Sequence, residues 1–303
     1  MTPTVVLAAD AHPGAGLGHI ARSSALACAL SALGVAVTTV ALGAQDAVEL
    51  DGLRWQPGGL PLGLPAAATV LDSYSMDDGL RGELAQATRL VQFEDARREV
   101  AGVMAIGPLS ADFDDEHRVA GPSFVCLRRG LWGRRAAAPV GEVSRVLVTT
   151  GGSDPTGEAA RFAEVVRAGL PSTAAVTWIR PAAVHAAPAG VTVAGPAPSL
   201  TAEMLASDLV VCGGGLTMVE AAALGVPCVA LVLAENQRPG RDRLAAAGAV
   251  RAVDGVDEIG LAVQSLACSV EARRALARTA SDVVDGFGAF RVAARVAALA
   301  AAD

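Results

Sequence analysis

The chain has 303 residues, a formal net charge of -7 and 52% hydrophobic residues. That length predicts two domains of ordinary size, and the acidic balance argues against general nucleic-acid binding. All 24 basic residues are arginine, which excludes a P-loop lysine and Schiff-base chemistry.

Three Trp, one Tyr and six Phe leave little aromatic surface for stacking single strands. No apolar run approaches the ~20 residues of a membrane helix, so stable membrane insertion is not expected. No basic segment precedes the first apolar run, so a cytoplasmic location is expected rather than secretion. The cysteines, Cys28, Cys126, Cys212, Cys228 and Cys268, form no C-x-x-C pair and read as small buried thiols. No metal or other cofactor is predicted.

In chain order, Val5–Ala9 is a β-branched run with the length of a buried strand. A glycine-rich turn, Pro13–Gly18, leads into a helix over His19–Leu33 that Gly34 closes, and Val35–Leu42 is a second strand. Asp51–Leu64 is rich in Gly and Pro and reads mostly as loop. Ala68–Leu71 is a strand ending in Asp72-Ser73-Tyr74, followed by a helix over Asp78–Ala87 and strands at Leu90–Phe93 and Gly102–Ile106. Gly133–Ser144 lacks periodicity and is placed as the linker, dividing the chain into domains at 1–140 and 141–303.

The second half opens with a strand at Arg145–Thr150, the turn Gly151-Gly152-Ser153-Asp154-Pro155, and a helix through about Ala168. Further strands fit Ala174–Ile179, Val191–Ala194, Leu209–Cys212 and Cys228–Val232. Helices fit Thr201–Ala206, Thr217–Leu224, Arg238–Ala247 and much of Ser269–Ala301. Strands alternating with helices imply an α/β chain with two parallel sheets, each covered on both faces. Ligands in this class bind beyond the carboxyl ends of the strands, where all the glycine-rich turns fall. The expected architecture is therefore two Rossmann-like domains whose sheets face a cleft.

Three segments carry candidate chemistry. Gly16-Leu17-Gly18-His19-Ile20-Ala21-Arg22 spans a strand-to-helix turn whose glycines and helix N-terminus suit an anion. His19 can exchange a proton near neutral pH, with Arg22 one turn on along the same face; a histidine that merely packs at a helix start would leave the same pattern. Gly151, Gly152 and Ser153 could cradle phosphate oxygens, or form an ordinary capped turn. Gly213–Glu220 is the third segment. Its Gly214, Gly215, Leu216 and Thr217 would meet a diphosphate at a helix start, while Glu220 could accept ribose hydroxyls or only stabilise the helix dipole. Asn236 and Gln237, at a strand end, carry amides able to read hydroxyl and acetamido groups, although Asn236 is also a plausible N-cap.

With Asp10, Asp72-Ser73-Tyr74, Gly121-Pro122, Leu127-Arg128 and Gly225-Val226-Pro227, these residues resemble, in this order, the UDP-sugar hydrolases of pseudaminic acid biosynthesis. Those enzymes are similar in fold to the GT-B transferase of the peptidoglycan precursor. The resemblance implies a GT-B fold, a UDP-sugar substrate, His19 as the base that activates water, UDP held by Gly213–Glu220, and sugar contacts from Asn236 and Gln237. Asp10 and Tyr74 would lie near the cleft, and the C-terminal helix would brace the first domain, as the fold class does. The expected reaction is metal-independent, inverting hydrolysis of a UDP-linked acetamido-deoxy sugar. The alternative is glycosyl transfer, with the same base acting on an acceptor hydroxyl.

Overall fold

The computed structural model describes residues 3–12, 18–94, 104–109, 117–151, 157–179, 187–195 and 199–302. The chain divides into two compact units, Met1–Trp132 together with Gly286–Asp303, and Gly133–Asp285.

The first unit is built on β1 (Thr4–Asp10), buried from Val5 onward as a strand covered on both faces must be. α1 (Gly18–Ala32) follows. It stops where Gly34 takes φ 79° and the Val35 amide turns back to the Leu30 carbonyl, a Schellman closure that the glycine predicted. β2 (Ala36–Leu42) pairs parallel with β1.

The next segment departs from the sequence reading. Within Asp51–Leu64, read as loop, lies β4 (Leu53–Gly58), which pairs antiparallel with β3 (Val48–Leu50) and parallel with β2. Asp51 at φ 54° and Gly52 at φ 80° form the two-residue turn, the Asp-Gly combination that suits a hairpin. Pro57 is tolerated because β3 covers only Leu53–Trp55, so its missing N–H breaks no ladder. Trp55 anchors the strand, fully buried, with Nε1 donating to Ser24 Oγ at 2.9 Å.

β5 (Ala68–Asp72), α2 (Asp78–Ala87), β6 (Leu90–Phe93), β7 (Met104–Gly107) and β8 (Arg118–Ala120) complete the unit, giving the order β3-β4-β2-β1-β5-β6-β7-β8. One face of the sheet packs against α1 and the C-terminal helix (Gly288–Ala301) through Ile20, Leu26, Leu30, Val292 and Val296. The other face carries Val6, Val40, Leu71 and Leu84, with Leu60 and Met76 against them.

The second unit contains β9 (Arg145–Thr149), α3 (Ala159–Ala168), β10 (Ala175–Ile179), β11 (Thr192–Ala194), α4 (Thr201–Leu205), β12 (Leu209–Gly213) and α5 (Leu216–Leu224). β13 (Cys228–Leu231), α6 (Arg238–Ala246), β14 (Arg251–Val253), α7 (Val256–Ala267) and α8 (Val270–Val283) follow. Its sheet is wholly parallel in the order β11-β10-β9-β12-β13-β14, the doubly wound order of a Rossmann sheet. The sequence reading passed over β14 and α7. It also ran α8 and the C-terminal helix together, where Gly286 at φ 82° breaks the chain.

The first unit ends at Trp132 rather than at residue 140, and it includes the C-terminal helix. Residues 133–144 are not a loose linker, because the second unit pins them. Ala136 N–H donates to Leu224 O at 2.8 Å, Arg135 Nη1 to Ala223 O at 2.6 Å, and Arg274 Nε to Pro139 O at 2.8 Å. The buried Arg273 guanidinium caps α7 at Leu266 O and reaches Gly141 O. At the other end the C-terminal helix belongs to the first unit. Arg291 donates to Ser123 O at 2.8 Å, and Arg89 donates to Leu299 O at 2.9 Å.

Gly288, at the start of that helix, lies against the backbone of Phe124 and Val125, where an added Cβ would come within 2.6 Å of Phe124 C and Val125 N. Alanine normally favours a helix over glycine by roughly 1 kcal/mol. Here the clash is with rigid backbone, so Gly288→Ala should instead destabilise the first unit by about 1–3 kcal/mol. A lowered urea midpoint would reveal it; an unchanged or raised midpoint would contradict this packing.

Candidate active site

In a doubly wound sheet, ligands gather where the strand order reverses, since the loops leaving the two central strands part there. In the first unit that point lies between β1 and β5. The described groups around it are Asp10 at the end of β1, His19 and Arg22 in the first turns of α1, and Asp72 and Tyr74 at the end of β5.

Asp72 is the centre of the cluster and has no solvent exposure. It accepts from His19 Nδ1 at 2.6 Å, from Arg22 Nε and Nη2 at 2.6 Å each, and from Ser23 Oγ at 3.2 Å. Burial alone pushes this carboxyl up, but the Arg22 charge and the hydrogen bonds from Arg22 and His19 outweigh it, so Asp72 is held below the usual carboxylate range. With Nδ1–H donated to Asp72, the neutral His19 ring leaves Nε2 as the proton acceptor. The Tyr74 ring stands edge-on to His19, centroids 4.4 Å apart at 84°. Arg22 lies over Phe93 at 4.7 Å and near Tyr74 at 5.9 Å.

Asp10 is bonded to the turn after β5. It is 1% exposed, and its carboxylate accepts from Tyr74 N–H at 2.9 Å, Ser75 N–H at 3.2 Å and Ser75 Oγ at 3.0 Å. Arg81 completes this brace, donating to Ser73 O and Gln92 Oε1 at 2.6 Å each. The turn after β5 is thereby fixed, and with it Tyr74, whose side is half exposed. Arg22, also expected to contact ligand, spends its guanidinium fork on Asp72. Buried Cys126 feels both groups; burial pushes its thiol up to about 12, which keeps it inert.

The sequence reading named Asp72 only as part of a motif and missed it as the partner of His19. The available signal was an acidic residue directly ending the apolar run Ala68–Leu71, a place where a carboxylate must find buried donors.

In the second unit the order reverses between β9 and β12. Gly151 follows β9 at φ 94°, its N–H donating to Thr149 Oγ1 at 3.1 Å. Gly152 and Ser153, like Gly16 in the first unit, lie outside the described residues. After β12, part of the glycine requirement is packing: a Cβ on Gly213 would meet Leu233 Cδ1 at 2.7 Å, and one on Gly214 would meet Arg241 Cβ at 3.2 Å. Gly215 differs. A Cβ there would meet nothing closer than Gln237 Nε2 at 3.5 Å, and as the N-cap of α5 it offers no side chain to the first-turn amides.

Gln237 is oriented by accepting from Leu233 N–H at 3.0 Å through Oε1, so Nε2 is turned toward Gly215. Leu216, Thr217 and Glu220 are half-buried on α5, and Asn236 is exposed. Beneath them Arg241 is buried and donates to Val253 O at 2.7 Å and Asp254 Oδ1 at 2.8 Å. Cys212 and Cys228 pack with sulfurs 3.6 Å apart, fully buried. Among the described residues no group of three or more His, Cys, Asp or Glu is placed to hold a metal ion, and no helix is long and apolar enough to cross a membrane.

The Asp72 network makes stability depend on pH with a definite sign. A carboxyl whose proton affinity is lowered by folding stabilises the native state above its unfolded value, about 3.9, and that contribution is lost as pH falls through the lower folded value. Denaturant midpoints of the native chain should therefore drop below about pH 4. Asp72→Asn should remove that part of the drop and cost about 3–5 kcal/mol at neutral pH, because the partly buried Arg22 loses the carboxylate that takes its Nε and Nη2. Equal midpoints for the two proteins at pH 7 would refute the geometry.

No protein-family model and no curated protein matches the chain. Solved structures do. The glycosyltransferase of kitacinnamycin aligns at TM-score 0.68 and 16% identity, covering 98% of this chain and 99% of that one. The spinosyn rhamnosyltransferase SpnG aligns at 0.66 and 17%, covering 99% and 100%, and has also been solved with thymidine diphosphate. MurG of Acinetobacter baumannii aligns at 0.65 and 14%, covering 97% and 99%. At these identities the likeness establishes the fold: the chain is an α/β protein of the GT-B glycosyltransferase architecture, with two Rossmann-like domains.

Proposed function

We propose that the chain is a glycosyltransferase using a nucleoside diphosphate sugar, with His19 as the base that deprotonates an acceptor hydroxyl. The observation that carries this reading is the His19–Asp72 pair at the switch point of the first unit. Structural neighbours named as glycosyltransferases favour transfer over the hydrolysis suggested by the sequence resemblance.

Each unit offers groups suited to one part of this chemistry. In the first, His19 Nε2 takes the proton of the acceptor O–H as the oxygen bonds to the anomeric carbon. Asp72 holds the ring through Nδ1 and stabilises the imidazolium that forms. In the second, the bond from the anomeric carbon to the diphosphate oxygen breaks, and the electron pair leaves with the diphosphate. The first-turn amides of α5 and the Gln237 amide are suited to receive that charge. Glu220 and Asn236 are assigned to the ribose and the sugar, and Gly151, Gly152, Ser153 and Thr217 to the phosphates. Attack opposite the leaving group inverts the anomeric centre.

Uridine is assigned from the sequence resemblance, and thymidine from the diphosphate bound by SpnG and by the similar SsfS6, so both are tested. Purified protein is incubated with UDP- and TDP-linked sugars, with and without a panel of hydroxyl acceptors, and diphosphate release and products are followed by mass spectrometry. Release that requires an acceptor supports transfer. Release without acceptor, with solvent oxygen in the sugar, supports hydrolysis instead. His19→Ala should lower turnover by about 10²–10⁴ while diphosphate binding persists; full activity in that variant would defeat the assignment. A Cβ at Gly215 meets nothing closer than 3.5 Å, so Gly215→Ala should fold normally yet weaken diphosphate binding by at least ~10-fold, or about 1.4 kcal/mol. Titration calorimetry checks this, and unaltered affinity would move the diphosphate away from α5.

A further inference from the structure

We propose that the acceptor of this chain is an alcohol on an extended apolar body, and that the body lies along a strip of exposed leucines carried by the segment after β4 and the first turn of α2. The class of acceptor rests on the reading of His19 as the base of a transferase; the apolar site itself does not.

Between Arg54 and Asp72 the chain carries no charged residue. Within that span Leu62-Gly63-Leu64-Pro65 is exposed throughout, Leu62 at 40% and Leu64 at 45%. Leu80, in the first turn of α2, is 37% exposed, and Tyr74 is half exposed. The other exposed large hydrophobic side chains among the described residues stand singly along the chain, as on any protein surface. Connecting segments are ordinarily polar, whereas clustered exposed leucines mark a binding surface.

The strand ends bring these residues to the base. β4 is parallel to β2 and β2 to β1, with Gly58 opposite Leu42 and Leu42 opposite Asp10. The chain therefore leaves β4 at the same carboxyl edge where β5 ends in Asp72, the partner of His19. From there it crosses the sheet, until Ala67 N–H donates to Thr4 O at 2.8 Å at the opposite end of β1. That is a run of about 20 Å for a strand of this length. α2 leaves the same carboxyl edge after the turn at Tyr74. Leu60 of the first segment and Met76 before α2 pack on one apolar group that holds Val40, Leu42 and Leu71, joined by Leu84 of α2. The two segments thus share one face of the sheet, and Leu62, Leu64 and Leu80 are what they turn outward. At the head of the strip the Tyr74 ring meets the His19 ring, centroids 4.4 Å apart.

The chemistry of the strip selects its occupant. A sugar acceptor is read through hydrogen bonds, and Leu62–Pro65 offers apolar side chains and backbone only. An anionic lipid surface would be repelled by Asp77, Asp78 and Glu83, the exposed acidic residues beside Leu80. A second copy would need about 800 Å² from each partner, more than a few half-exposed side chains bring. The apolar body of an acceptor needs only contact area that continues to the base, and the strip supplies both.

The probes are 1-butanol, 1-hexanol and 1-octanol, with D-glucose as the polar control. Binding to the full chain is measured first without donor, by NMR of isotope-labelled leucine methyls. The methyls of Leu62 and Leu64 should shift, with affinity rising about two- to fourfold for each added methylene through 1-octanol, and glucose should leave them unmoved. Turnover is then measured with whichever donor the panel identifies, and KM for the alcohols should fall in the same order. The double variant Leu62→Asp with Leu64→Asp alters exposed side chains. It should keep the native urea midpoint and bind 1-octanol at least ~10-fold more weakly. Unmoved methyls, an affinity independent of chain length, or a double variant that binds 1-octanol as the native chain does would each overturn the proposal. So would a native chain that sediments with phosphatidylglycerol vesicles, or that dimerises, where the double variant does not. Transfer to glucose and to none of the alcohols would overturn it and leave the transferase reading standing. Length-dependent binding of alcohols without transfer from any donor would sink the transferase reading and leave the apolar site standing.

Discussion

The first unit depends on one buried charge. A carboxylate without water is tolerable only when its lone pairs are met by donors, and at Asp72 those donors all come from the first two turns of α1. This single requirement joins the end of β5 to the start of α1 across the point where the sheet order reverses. It also selects the histidine tautomer and fixes the ring in the same act. Around it, Asp10 and Arg81 rigidify the turn that carries Tyr74. The hydrogen bonds that stabilise this part of the fold therefore also set the geometry of the site.

The second unit solves a different problem. Its charged groups near the switch point are also matched internally, Arg241 with Asp254 and Arg238 with Glu235. What it leaves open is backbone: the first turn of α5, capped by a glycine with no side chain to offer. Gly213 and Gly214 bring that turn close to Leu233 and Arg241, while Gly215 keeps the approach clear. Oriented amides of this kind stabilise an anion without a mobile countercharge, and they need no reorganisation when negative charge arrives. The first unit thus commits its charges to one buried carboxylate, and the second caps α5 with a glycine that leaves room beside its first turn.

Much of this was legible in the sequence where local physics decides. The strand–glycine turn–helix units, the stop at Gly34 and the α5 turn follow from patterns that need no distant partner. The features missed are those decided at long range or by a single dipeptide. The β3–β4 hairpin was hidden because glycine and proline dominate Asp51–Leu64, although Asp51-Gly52 marked the turn and Trp55 the buried face. The boundary falls before 133–144 because those residues, which lack periodicity, are held by carbonyls of α5 and arginines of α8 that no local window contains. The partnership of His19 with Asp72 spans 53 residues, and that of Asp10 with the turn at Tyr74 and Ser75 spans 64 and 65. A polar residue at a strand end announces that it will be satisfied, not by what.

The same reasoning bears on why hydrolysis and transfer are so hard to separate from residues alone. Water and an alcohol present the same O–H to His19 Nε2, and the base gains from either by a comparable factor. Asp72 and Arg22 act on the ring and are equally indifferent to the nucleophile. In the proposed function the α5 turn meets only the departing diphosphate, which is identical in both reactions. Selection must therefore lie in which hydroxyl is held against Nε2 and how well water is kept from it. Of the described groups packed on His19, Tyr74 alone combines contact with the ring and an exposed face, on a turn that three hydrogen bonds to Asp10 keep from moving. A fixed, half-exposed ring beside the base is a surface on which an acceptor body can rest while its hydroxyl reaches Nε2, and water gains nothing from such a surface. That asymmetry gives transfer a structural feature that hydrolysis leaves unused.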